Sequence, residues 1–245
     1  VYMRIYAHRG VSAHLPENTL AAFSRAIDLG VDGIELDVHL SAERIPMVIH
    51  DETVDRTTNG TGRISEFTAV QLGLLDAGHG QFVPTLDQVL GMAAGKVRVN
   101  IELKDDTSVA AVLGVIAEHP GLDWFCSSMQ FTALTQMCEL APGSDCQPAT
   151  FGWEMNADGG GDLQESIDFA LLHKSTGVSV WEGLLDHTTI GLIHASGLKV
   201  WAWTVNDADR ARELANMGVD ALCTDDPELI RTALCSVPTH ARQVE

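Results

Sequence analysis

The chain has 245 residues, 45% of them hydrophobic and 20% charged, which is material for a large core and not the composition of a disordered protein. Its formal net charge of -19 argues against nucleic acid and anionic membrane as partners, because both demand a basic surface. A small anionic ligand stays compatible with such a body where a divalent cation or a few Arg and Lys side chains meet it locally.

Short β-rich runs alternate with amphipathic helical stretches from one end of the chain to the other, the pattern of a parallel sheet with crossover helices. Strands are predicted at 4–8, 33–38, 97–103, 123–128, 146–151, 177–181, 199–205 and 221–224. Eight such units in a chain of this length predict a single α/β domain over 1–245, a TIM (β/α)8 barrel. The opening VYMRIYAHRG runs straight into the first strand, with no apolar leader and no stretch long enough to cross a bilayer. A cytoplasmic protein without stable membrane association is expected, and Met3 stands as a candidate native start.

The first helix is predicted over 17–29, where Leu20, Phe23, Ala26 and Ile27 recur at helical spacing before Gly30. After the second strand, residues 39–83 far exceed a normal βα loop and predict a small insertion or lid beside the barrel mouth. It holds the apolar run MVIH, the turn-rich TTNGTG and an amphipathic segment over 65–76. A helix is predicted from about Thr85, and another over 207–217 before Gly218. The last residues, SVPTHARQVE, show no periodicity and are expected to fray. Five cysteines without a C-x-x-C pair argue against structural zinc and a disulfide framework, and the oligomeric state is left open, because the pattern shows no large exposed apolar stripe.

Chemistry gathers at the strand ends. Glu35 and Asp37 in GIELDV share a strand face, and Glu102 and Lys104 in NIELK repeat that spacing. One such pair alone reads equally well as solvent-facing charge. Acids inside apolar strands, however, are rarely buried without a partner, and three carboxylates suit one divalent cation, Mg2+ or Ca2+. His8 and Arg9 close the first strand, at the rim where TIM barrels build their sites. His50 ends the run PMVIH and precedes Asp51, which could orient it or cap the next turn. Two histidines suit the two proton transfers of phosphodiester cleavage, whereas the other histidines of the chain read as surface or core residues. Arg9 and Lys104 supply fixed positive charge for a phosphate. Trp201 and Trp203 share a face of KVWAWTVN, and Trp203, nearer the strand end, is the better candidate for a pocket wall.

With those residues assembled, the sequence resembles the glycerophosphodiester phosphodiesterase family over nearly its full length. The matching segments are AHRG with PENT, ELDV, VIHD, PTLDQVL, NIELK, and WTVN with GVDALCTDDP. Six segments in register are far more specific than any one. The resemblance implies a barrel with an insertion after the second strand and metal-dependent cleavage of glycerophosphodiesters such as glycerophosphocholine or glycerophosphoethanolamine. The implied products are sn-glycerol 3-phosphate and an alcohol. It implies His8 and His50 as the catalytic pair, Glu35, Asp37 and Glu102 as metal ligands, and Arg9 and Lys104 as phosphate contacts. Glu17 and Asn18 of PENT are expected to fix the loop after the first strand and start its helix.

Two departures stand out: SAERIPMVIHD lacks the Asp-Gly turn usual before this histidine, and SSMQ carries Met129 where the family commonly has Phe. Two rival readings are a lysophospholipase D, which needs an apolar channel or membrane-seeking surface, and a non-catalytic barrel binding phosphodiesters or a protein. The acidic balance disfavours the first, and retention of both histidines and all three acids disfavours the second.

Overall fold

The computed structural model describes residues 3–152 and 162–235. In chain order the elements are β1 (Arg4–His8), α1 (Leu20–Asp28), β2 (Gly33–Leu40), β3 (Pro46–Val48), α2 (Ala69–Leu72), α3 (Leu86–Ala93), β4 (Arg98–Leu103) and α4 (Val109–Ala117). There follow β5 (Trp124–Ser128), α5 (Phe131–Leu140), β6 (Cys146–Thr150), α6 (Leu163–His173), β7 (Gly177–Trp181), α7 (His187–Ala195), β8 (Lys199–Trp203), α8 (Ala208–Met217), β9 (Ala221–Thr224) and α9 (Pro227–Cys235). The parallel strands run β1-β9-β8-β7-β6-β5-β4-β2, and β1 pairs with β2 to close a (β/α)8 barrel. The short β3 adds antiparallel to β2, outside the closed set.

Strand alternation sorts the side chains. On β2, Ile34, Leu36 and Val38 point outward and are wholly buried under the helices, each contributing about 1.5–3 kcal/mol of apolar transfer. The alternate positions point into the barrel. There Tyr6, Phe125 and Trp201 pack with Ala221 as an aromatic plug, with the Tyr6 and Phe125 rings 4.6 and 4.7 Å from Trp201. Gly33 makes room for this plug, because a Cβ there would stand 1.9 Å from the Tyr6 ring. The inward positions nearer the strand ends lie above the plug and carry the polar residues.

Helix starts follow side-chain capping. Thr19, Thr85, Asp186 and Asp207 each accept a hydrogen bond from a backbone N–H of the first helical turn, a contact worth about 1 kcal/mol. Helix α8 ends as expected at Gly218, whose φ is +93°. Two expectations are corrected. The first helix begins at Leu20 rather than 17, because Asn18 sits at φ +56° and Thr19 is the cap. The 65–76 segment is not one amphipathic helix: Phe67 is extended, and it separates a 3-10 turn, Ile64–Glu66, from the single turn α2. The insertion nevertheless has its own small core, with Met47, Val54, Ile64 and Leu72 almost entirely buried. The expected fraying of SVPTHARQVE falls outside the described residues.

No helix among the described residues is long and apolar enough to cross a membrane.

Candidate active site

Strand register assembles the acids. His8 stands opposite Glu35 across β1 and β2, and Asp37 stands opposite Glu102 across β2 and β4. With Glu35 and Asp37 both inward, one oxygen from each of the three carboxylates lies within 4.8 Å of the others. Asp37 is fully buried and braced on three sides, by Lys104 Nζ at 2.8 Å, Arg9 Nε at 3.1 Å and Asn18 Nδ2 at 2.8 Å. Glu35 Oε2 accepts the Arg9 backbone N–H at 3.0 Å, while its Oε1 is buried with no hydrogen-bond partner among the described residues.

These surroundings drive two adjacent carboxyls apart. Burial, reinforced by the Asp37 charge, pushes Glu35 up to about 8. Burial works the same way on Asp37, but Lys104 and Arg9 outweigh it and hold that group far below the usual carboxylate range. A clustered acid short of countercharge, with one oxygen left undonated, is what a hard divalent cation would satisfy. The residues present therefore fit such an ion.

Both histidines carry a carboxylate on Nδ1. His8 Nδ1 is 2.6 Å from Asp225 Oδ1, and its Nε2 lies 4.0 Å from Glu35 Oε2. Asp225 is itself fixed by Ser12 Oγ at 2.9 Å and Asn206 Nδ2 at 2.5 Å. Burial opposes the charged form of His8, yet the Asp225 hydrogen bond and the Glu35 charge prevail and its pKa is raised above 6.5. Burial likewise works to raise Asp225, but the hydrogen bond from His8 brings it down to about 2. His50 Nδ1 is 2.7 Å from Asp51 Oδ1, and Arg56 grips Asp51 at 2.7 Å and Glu17 at 2.8 Å. Glu17 in turn accepts from Arg9 at 3.0 Å, so one chain of ion pairs ties the two histidine-bearing segments together. Paired carboxylates of this kind fix ring orientation and leave each Nε2 for a reacting group.

The structure brings His8, Glu35, Glu102, Met129 and Trp203 to a single narrow cleft of about 40 Å³. Trp201 lines its floor as part of the plug. Arg9 and Lys104 sit beside the acids, bound to them. The PENT motif does more than shape a loop: Asn18 holds Asp37, and Glu17 links Arg9 to Arg56. Where the Asp-Gly turn is missing, Arg44 takes the left-handed conformation, with φ +65°. Sequence reasoning passed over Asp225, Asn206, Ser12 and Arg56. For the first two a signal was present, since Asp225 directly follows β9 and Asn206 stands three residues beyond the end of β8, at the rim that carries function in this fold.

The chain is similar to known proteins along most of its length. The profile of the Glycerophosphoryl diester phosphodiesterase family matches residues 8–119 and 126–229. The chain is 36% identical over 240 residues to the Bacillus subtilis protein YhdW, covering 93% of this chain and 96% of that one. It is 31% identical over 263 residues to the glycerophosphodiester phosphodiesterase of Caldanaerobacter subterraneus, covering 92% and 95%. Among solved structures, an Oleispira antarctica phosphodiesterase in complex with the product sn-glycerol-3-phosphate superposes with a TM-score of 0.84 at 30% identity, covering 95% of this chain and 97% of that one. An Agrobacterium tumefaciens glycerophosphodiester phosphodiesterase gives a TM-score of 0.76 at 31% identity, covering 94% and 100%.

Proposed function

Because the chain belongs to the glycerophosphoryl diester phosphodiesterase family, we propose that it hydrolyses glycerophosphodiesters to sn-glycerol 3-phosphate and an alcohol, using His8, His50 and one divalent cation, Mg2+ or Ca2+. The observation that carries this reading is a cluster of three carboxylates, two of which, Glu35 and Glu102, line one cleft with a carboxylate-backed histidine. The product bound in the Oleispira antarctica relative supports the same substrate class. Glu35, Asp37 and Glu102 would hold the cation, which supplies Lewis-acid charge beside the phosphoryl oxygens.

The chain's own groups perform the proton transfers. His8 faces the cleft walled by Trp203 and Met129, with Asp225 behind it, as suits a general base. It takes the proton of the glycerol 2-hydroxyl as that oxygen attacks phosphorus. His50 gives its proton to the departing alkoxide. Arg9 and Lys104 meet the added negative charge of the transition state. Water then opens the cyclic glycerol phosphate with the roles reversed: His50 accepts the water proton and His8 returns one to the 2-oxygen.

Leaving-group replacement tests this division. With a natural alkoxide, His8→Ala and His50→Ala should each lose about 10²–10⁴-fold in turnover. With p-nitrophenol as leaving group, which needs no protonation, release of p-nitrophenol in the first turnover should recover in His50→Ala and not in His8→Ala, while opening of the cyclic phosphate should stay slow in both. Equal recovery by both variants, or near-normal turnover of either on glycerophosphocholine, would refute the assignment.

A further inference from the structure

Lys104 has two sides. Its ammonium binds Asp37 and Glu102 at the reacting centre, and its other flank lines a separate cavity of about 370 Å³ at the same barrel rim. The cavity lies between the β2–β3 turn, the insertion and the segment after β4, and the mechanism above leaves it unused. His39 also lines it and bonds the His50 carbonyl at 2.9 Å, so its inner wall adjoins the backbone of the proposed general acid.

Resting on the function proposed above, we infer that this cavity receives the leaving alcohol and selects a polyol over a quaternary ammonium. The position follows from what the two spaces share: the Trp203 cleft faces His8 and takes the glycerol, and the second cavity meets the same acid cluster at Lys104, whose ammonium binds Asp37 and Glu102. The selectivity follows from the lining. Arg44 and Arg63 present guanidinium donors, and Glu52 and Asp105 present carboxylate acceptors. Hydroxyl groups both donate and accept, so a polyol can satisfy a wall of mixed sign. A trimethylammonium group has no donor and is favoured by the faces of Trp, Tyr and Phe, and none of these three lines this cavity among the described residues.

Arg44 is the residue through which to test it. It occupies a left-handed turn position at φ +65°, and its guanidinium reaches across the cavity to the Thr107 carbonyl at 2.6 Å. Arg44→Gly removes the guanidinium while supplying the residue best suited to that backbone conformation, so the fold should tolerate it. Arg63, paired with Glu52 at 2.7 Å, allows a second variant, Arg63→Gln.

The experiment compares kcat/KM for glycerophosphoinositol and glycerophosphocholine in the wild type, Arg44→Gly and Arg63→Gln, with circular dichroism confirming that each variant is folded. The wild type should prefer the inositol diester by about tenfold or more, and each variant should lose about tenfold on it while staying within about twofold on the choline diester. A wild type that turns over both equally or prefers choline, or variants that lose equally on both, would overturn the cavity assignment while leaving the proposed function standing. Absence of turnover on either diester would overturn the functional reading, and the cavity assignment with it.

Discussion

His8 illustrates how a side chain acquires its role from a residue far away in sequence. Asp225 lies 217 positions along the chain, and only closure of the barrel between β1 and β9 brings it to 2.6 Å from the imidazole. Acting as a base, His8 must be neutral, so kcat/KM should fall as pH drops through its pKa, which Asp225 and Glu35 hold above 6.5 against the effect of burial. Asp225→Asn removes the largest of the influences that raise it. The acid limb of the pH–rate profile should therefore move to lower pH, alongside a large loss of turnover. A limb that stays in place, or moves up, would contradict this role. The clustering of the three acids with His8 beside them was legible in the sequence because strand alternation and a strand end mark them. Asp225 was not, because TDDP before a helix reads equally well as charge at a helix N-terminus.

Elements place the site through register, and β2 shows how little latitude they have. Its first residue, Gly33, sits against the Tyr6 ring, and two and four residues later Glu35 and Asp37 reach the acid cluster. Gly33→Ala should destabilise the fold by about 1–3 kcal/mol, since a Cβ cannot share space with the aromatic plug. Denaturant midpoints would show this, and Tyr6→Leu in the same chain should recover part of the loss; a Gly33→Ala variant of unchanged midpoint would contradict the packing. The strands were readable because their outward faces are near-continuous apolar runs. Helix starts and the insertion were less so. A lone positive-φ residue such as Asn18, or an extended one such as Phe67, interrupts an apolar period without altering it.

For the whole molecule, the barrel gathers a few cations around one rim of a body whose formal net charge is -19. That arrangement repels an anionic substrate at long range and holds it at contact. Between ~0.01 and ~0.15 M ionic strength the Debye length falls from about 30 to about 8 Å, so screening should weaken the repulsion more than the contact. At a fixed divalent-ion concentration, kcat/KM for glycerophosphoinositol should rise with added monovalent salt; a steady fall would mean that local attraction dominates the approach.

The account rests on Glu35, Asp37 and Glu102 sharing one ion beside two imidazoles, and the direct measurement is hydrolysis of a glycerophosphodiester by chelator-stripped protein while Mg2+ or Ca2+ is titrated back. Turnover to sn-glycerol 3-phosphate should vanish on chelation, return with the cation in the wild type, and fail to return in Glu35→Gln. Undiminished turnover by the stripped enzyme would contradict the account.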